Sequence, residues 1–208
     1  MKNLFKSFKT RVVLFSLITG LPFIMCSPIN DDCNCDPVTG EFFDIHGIEV
    51  INQYKKTGEN SIDIIAENEI VPFEKYNGLS VNYAVNYITN IPKKKSSFSS
   101  IYSAYACSCI YNGEAGSKNE KYANITVITL NDFDEAHRAN DTINDLMLVK
   151  DEYLSDYLQN DTINIRYQGI RLMLDRKPVL NQNFKAKVVV ELSTGEIYQD
   201  ESYSIIIQ

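Results

Sequence analysis

Apolar and polar residues alternate with a period of two in the clearest stretches of this chain. In Leu79–Ile88, the residues Val81, Tyr83, Val85 and Tyr87 interleave with Ser80, Asn82, Ala84 and Asn86. In Phe184–Leu192, the residues Phe184, Ala186, Val188, Val190 and Leu192 take one face, and Lys185, Lys187 and Glu191 take the other. Successive strand side chains point to opposite faces, so this alternation predicts strands with one buried and one wet face. Further runs of β-branched and aromatic residues, bounded by Asn, Gly, Lys or Pro, bring the predicted strands to 42–51, 61–67, 79–89, 100–111, 122–130, 163–174, 183–192 and 196–207. Antiparallel sheets produce such alternation, whereas parallel α/β sheets produce continuous apolar runs between helices. The expected fold is therefore all-β, an antiparallel β-sandwich with one or two short helices.

Turn chemistry supports the division into strands. Asn77-Gly78, Asn112-Gly113 and Thr194-Gly195 each separate candidate strands, and glycine or asparagine accommodates the positive φ that tight turns require. The last of these predicts a C-terminal hairpin over 184–207. Helix is expected at 151–159, where Tyr153, Leu154, Tyr157 and Leu158 fall on one side at helical spacing before Asn160. In Asn131-Asp132-Phe133-Asp134-Glu135-Ala136-His137, the Asp132 and Glu135 spacing predicts a helix N-cap with its box. The same oxygens are a weaker candidate for calcium, because the segment lacks the spacing of a known calcium loop.

The N-terminus changes the picture from fold to location. Lys2, Lys6, Lys9 and Arg11 precede an apolar run from Val12 to Met25, which ends at Cys26 and is followed by Ser27, Pro28, Asp31 and Asp32. The run is shorter than the ~20 apolar residues a spanning helix needs, so it reads as a cleaved export leader. Leu21, Phe23, Ile24, Met25 and Cys26 resemble a bacterial lipoprotein signal, with Phe23 and Met25 standing where that family has Leu and a small residue. That resemblance implies lipidation at Cys26 and an anchor in the cell envelope, at the outer membrane. The expected organisation is a leader over 1–25, a flexible tether over 26–41 rich in Asp, Asn, Pro and Gly, and one domain over 42–208.

Charge and cysteine usage agree with export. The leader holds four of the 20 basic residues and no acid, leaving 16 basic against 27 acidic residues, near −11. Such a surface repels nucleic acid. With Cys26 assigned to lipid, four cysteines remain as two Cys-x-Cys pairs, Cys33 with Cys35 and Cys107 with Cys109, which suits two disulfides in an oxidising compartment. Antiparallel neighbours would pair Cys33 with Cys109 and Cys35 with Cys107, and the other two connectivities stay open. A four-thiolate zinc site is the alternative, although its usual spacing is Cys-x-x-Cys.

No Gly-x-Ser-x-Gly, His-Glu-x-x-His, Walker or Gly-x-Gly-x-x-Gly sequence is present, and His46 and His137 are the only histidines. Lys93–Lys95 form the single basic run, within a segment rich in Pro and Ser. No catalytic residue, metal or cofactor is expected. The leading expectation is a non-enzymatic binding or interaction module whose partner is the membrane through its lipid and, beyond that, a glycan or an envelope protein. The alternatives are an accessory carboxylate-dependent glycan hydrolase and a structural envelope component. The pentapeptide Asn140-Asp141-Thr142-Ile143-Asn144 recurs as Asn160-Asp161-Thr162-Ile163-Asn164. Its Asp-Thr-apolar triplet resembles the O-glycan acceptor motif of exported Bacteroidetes proteins, which makes Thr142 and Thr162 candidate glycosylation sites. Twice-used turn chemistry is the plainer explanation.

The leader ending at Cys26, the acidic tether, Phe42-Phe43-Asp44-Ile45-His46-Gly47-Ile48-Glu49, Ala104-Tyr105-Ala106-Cys107-Ser108-Cys109, Asp132–His137 and the terminal hairpin together resemble a family of Bacteroides lipoproteins of unknown function. The resemblance implies an immunoglobulin-like sandwich at the cell envelope, and it brings no activity, ligand or catalytic residue.

Overall fold

The computed structural model describes residues 38–56, 61–89, 111–160 and 164–208. By contact the chain divides into two units, and the one formed by Met1–Asp36 and Ala104–Cys109 lies wholly outside the described residues. Cys26, Cys33, Cys35, Cys107, Cys109, Lys93–Lys95, Thr162 and nearly all of the predicted strand 100–111 therefore lie outside them as well. No helix among the described residues is long and apolar enough to cross a membrane.

The described chain is mostly antiparallel sheet with one short α-helix, as the alternation predicts. Its strands are β1 (Phe42–Lys55), β2 (Ile62–Ile64), β3 (Ile70–Val71), β4 (Tyr76–Ile88), β5 (Tyr122–Thr129), β6 (Met147–Val149), β7 (Glu152–Tyr153), β8 (Gly169–Leu174), β9 (Asn183–Phe184), β10 (Ala186–Leu192), β11 (Ile197–Glu201) and β12 (Ile205–Ile207), with α1 (Leu154–Asn160) between β7 and β8. They form a six-stranded sheet in the order β2-β1-β4-β8-β6-β7 and two three-stranded sheets, β11-β10-β5 and β3-β12-β9. One pair, β12 with β3, is parallel. Buried side chains from all three sheets, among them Val81, Leu172, Val127, Val188 and Ile205, join one core. In β10, Ala186, Val188, Val190 and Leu192 are buried and alternate with half-buried Lys187, Val189 and Glu191.

Three local expectations are corrected. Asn77-Gly78 is not a hairpin turn: it lies inside β4, beside a register shift against β1 between Gln53 and Tyr54. Gly78 has φ +95°, and a Cβ there would overlap the Leu172 carbonyl oxygen. The glycine serves a bulge and the close approach of β8, which is the other use of glycine within a strand pattern. The helix begins at Leu154 rather than Asp151, because Glu152 and Tyr153 pair with β6 as β7 and leave Tyr153 exposed. The predicted last strand is two, β11 and β12, separated at Ser202–Ser204. The hairpin itself is present: β10 pairs antiparallel with β11 from Lys187↔Glu201 to Glu191↔Ile197, with Gly195 at φ +100° in the turn.

The outer edge of β1 is closed by side chains from far along the chain. The Val50 N–H donates to Asp200 Oδ2 at 2.8 Å, and the Tyr198 hydroxyl donates to the Ile45 carbonyl at 2.9 Å. The Ile45 N–H donates to both Glu120 oxygens, at 3.0 and 3.2 Å. Acidic groups on an unpaired strand edge satisfy its N–H groups and block further strand addition. Glu120 is buried, and it also accepts the Ser117 hydroxyl at 2.7 Å.

Candidate functional site

The loop containing Glu120 positions more than β1. The Ser117 N–H donates to the Ile165 carbonyl, and the Ile165 N–H donates to the Glu120 carbonyl. Asn164 Nδ2 donates to the Lys118 carbonyl at 2.8 Å. Four residues after Asn164, the Gln168 carbonyl accepts the Tyr83 N–H of β4, and the Tyr87 hydroxyl donates to Gln168 Oε1 at 3.2 Å. Arg166 and Tyr167 are thus carried by a stretch clamped at both ends while their side chains stay exposed, Tyr167 at 68%.

This stretch forms one wall of a cleft of about 650 Å³. Tyr122 at the start of β5, Lys150 in the β6–β7 turn, Glu152 of β7, Tyr157 and Asn160 of α1, and the β8 residues Arg171 and Met173 complete it. A second recess of about 390 Å³, lined by Asn112, Gly113, Glu114 and Gln168, shares Arg166 and Tyr167 with the first. The tyrosines behind the first cleft are ordered by one another. The Tyr83 and Tyr122 hydroxyls lie 2.6 Å apart, and the Tyr122 and Tyr157 rings lie 6.4 Å apart between centroids. Burial, reinforced by the neighbouring Tyr122, pushes the Tyr83 hydroxyl well above the ordinary tyrosine range, so it stays protonated. Asn160 Nδ2 donates to Glu152 Oε1 at 3.0 Å, which fixes the one carboxylate among the described residues lining this cleft.

The segment Asn131–His137 holds no helix, so the expected cap box is overturned. Asp134 Oδ1 instead accepts the Ala136 and His137 N–H groups, at 2.9 and 2.8 Å, and meets His137 Nδ1 at 2.8 Å. Side-chain capping of a tight loop competes with helix initiation, and here the loop wins because Phe133 must turn inward to full burial. Partial burial raises the Asp134 carboxyl, and the hydrogen bonds from the His137 ring and the His137 and Ala136 N–H groups outweigh it, holding it below the usual carboxylate range. His137 Nε2 faces Asp145 at 3.2 Å. With a carboxylate facing each ring nitrogen, His137 pins the loop. Among the described residues, no group of three or more His, Cys, Asp or Glu could hold a metal ion. His46 is exposed beside the β1 bulge.

The repeated pentapeptide has a structural use in each copy. Asn144 accepts the Val127 N–H at 2.8 Å and donates to the Ile125 carbonyl at 2.7 Å, imitating a strand partner for β5. Asn164 instead only donates, from Nδ2 to the Lys118 carbonyl at 2.8 Å and the Ser117 carbonyl at 3.4 Å. Thr142 is exposed and forms an isolated bridge with Ile128. The cleft residues themselves escape sequence reasoning. Arg166, Tyr167 and Gln168 fall within a predicted strand that starts only at Gly169, and their exposure and polarity were the one available sign. Compared with known proteins, the chain matches no family model, no curated protein and no solved structure.

Proposed function

We propose that this chain is an envelope lipoprotein, tethered through acylated Cys26, whose immunoglobulin-like β-sandwich binds an oligosaccharide without hydrolysing it. The observation that carries the reading is Tyr167, a largely exposed ring on a clamped stretch where two recesses meet. An apolar ring face beside amide and carboxylate groups suits sugars, which present C–H faces and hydroxyl edges. The larger recess falls within the ~300–1,000 Å³ range of small-molecule sites, and a neighbour sharing its wall suits a chain of more than one sugar. Glycoside hydrolysis uses a pair of carboxylates, whereas the larger cleft offers Glu152 alone among its described lining residues. Membrane attachment rests on the leader and Cys26, and membership of the Bacteroides lipoproteins on the resembling motifs.

Two measurements test this. Intact mass of the membrane-extracted native protein is expected to show loss of Met1–Met25 and added acyl chains on Cys26, and an unprocessed N-terminus would remove the envelope assignment. A glycan array with the full chain is expected to find a binder, and Tyr167→Ala is expected to weaken it about fivefold, since a stacked ring contributes ~1 kcal/mol. Release of shortened glycan, or binding unaffected by Tyr167→Ala, would overturn the binding reading of this cleft.

A further inference from the structure

We propose that the cleft selects an anionic oligosaccharide, with carboxylate or sulfate groups held by Lys150, Arg166 and Arg171; this rests on the saccharide reading above and narrows it. The chain as a whole carries a net charge of −7. The described residues lining the larger cleft reverse that sign, with three cations against the single carboxylate of Glu152. Three basic side chains elsewhere among the described residues sit beside acids: Arg138 with Asp132, Arg176 with Asp175, and Lys185 with Glu201. Lys150, Arg166 and Arg171 have no carboxylate partner among the described residues. Three unneutralised cations converging on one concavity, in a protein with an excess of acids, repel one another until an anion enters.

The backbone holds the three cations in place. Arg171 shares the outward face of β8 with Gly169 and Met173, residues two apart in the strand. At Gly169 a Cβ would fall 2.8 Å from the Val81 carbonyl oxygen, so the glycine permits the close approach of β4 to β8 beside the cleft. Arg166 follows the clamped Ile165 directly. Lys150 occupies the first position of the two-residue β6–β7 turn at φ +59°, a conformation that costs a non-glycine residue about 1 kcal/mol and ordinarily selects Gly or Asn. Guanidinium groups match carboxylate and sulfate oxygens with paired N–H donors, while Lys150 adds a point charge. Glu152, steadied by Asn160, remains an acceptor for a sugar hydroxyl.

The test is titration calorimetry on the full chain in detergent, with four probes: oligogalacturonate, its neutral methyl ester, an oligosaccharide of sulfated galactan, and poly-glutamate. We expect oligogalacturonate or the sulfated galactan to bind at least about tenfold tighter than the methyl ester, a difference that shrinks as salt screens the cations. Preference for one anionic probe over the other identifies the group bound, and either supports the inference. Arg171→Gln is expected to cut affinity for the preferred anion about tenfold, while Lys177→Ala, the same charge change at an exposed position outside the cleft, leaves it unchanged. Both positions are exposed, so folding survives and is checked by thermal unfolding. Equal affinity for charged and neutral saccharides would overturn this inference and leave the saccharide reading standing. Binding of no saccharide would overturn both, and poly-glutamate binding as tightly as oligogalacturonate would replace a sugar ligand with an acidic peptide.

Discussion

Replacing Phe184 by alanine is expected to lower the stability of the domain by about 4 kcal/mol, in the middle of the range for a buried aromatic. Phe184 is 1% exposed and meets two other rings edge-on, Tyr76 and Phe133, each at 6.2 Å between centroids. It sits in β9 opposite Ile205 of β12, while Tyr76 opens β4 and Phe133 belongs to the 131–137 loop. One ring therefore links the small sheet, the six-stranded sheet and that loop. The cost of such a truncation depends on whether neighbours can close over the gap, and here both are held. The Tyr76 hydroxyl donates to Asn52 Oδ1 at 2.9 Å. The Phe133 carbonyl accepts the Val179 and Leu180 N–H groups, and its N–H donates to the His137 carbonyl. Urea unfolding measures the effect, with Phe184→Leu expected to lose appreciably less. A loss below about 1 kcal/mol for Phe184→Ala would mean that the rings relax freely and that the three segments are not coupled through this side chain.

What the sequence made legible follows the range of the forces involved. The alternation in β4 and β10 is local, and it correctly reported which residues face the core: Val81, Tyr83, Ala186, Val188 and Val190 are buried. Tyr87 departs from it: it is 39% exposed, although its cross-strand partner Phe43 in β1 is fully buried. Gly78 shows where a local signal has two meanings. Positive φ was correctly anticipated, but whether it serves a turn or a bulge depends on β8, more than ninety positions away, passing against it. The Asp132–His137 segment has the spacing of a helix cap, and the burial of Phe133 with the turn around Asp134 overrides it. The closure of β1 was invisible for the same reason, since Val50 and its acceptor Asp200 are 150 positions apart. The cleft draws on β5, the β6–β7 turn, α1, the 164–167 stretch and β8. Apart from Tyr122, its described lining residues all lie between Val149 and Met173, a stretch in which Lys150, Arg166 and Arg171 are outnumbered by Asp151, Glu152, Asp156 and Asp161. Only the tertiary fold gathers Lys150, Arg166 and Arg171 around one cleft, so charge counting along the chain reports an acidic protein and misses this basic concavity.

Glu120 offers the sharpest test of how that closure is built. Burial raises its carboxyl above the ordinary 4.5, opposed by the hydrogen bonds from the Ser117 hydroxyl and the Ile45 N–H, while neighbouring Asp44 and Glu196 add to the rise. A raised carboxyl in the folded state means that the native protein holds this proton more tightly than the unfolded chain does. Its contribution to stability is then fully present below 4.5 and is lost as pH climbs from 4.5 through the raised folded value. Glu120→Gln removes the titration while keeping an acceptor, so its unfolding free energy is expected to stay flat across that window and to match or exceed the native protein's above it. Glu120→Ala behaves differently. It strips the Ile45 N–H and the Ser117 hydroxyl of their partner at every pH, at a cost of about 2 kcal/mol. It also frees the loop whose Ser117 and Glu120 backbone groups hold Ile165, so the wall carrying Arg166 and Tyr167 should loosen and ligand affinity fall with stability. Urea unfolding of the three proteins across the window from 4.5 upward separates the two effects. Parallel slopes for the native chain and Glu120→Gln would show that this carboxylate does not carry the pH dependence, and an unchanged stability in Glu120→Ala would leave the closure of β1 to Asp200 and Tyr198.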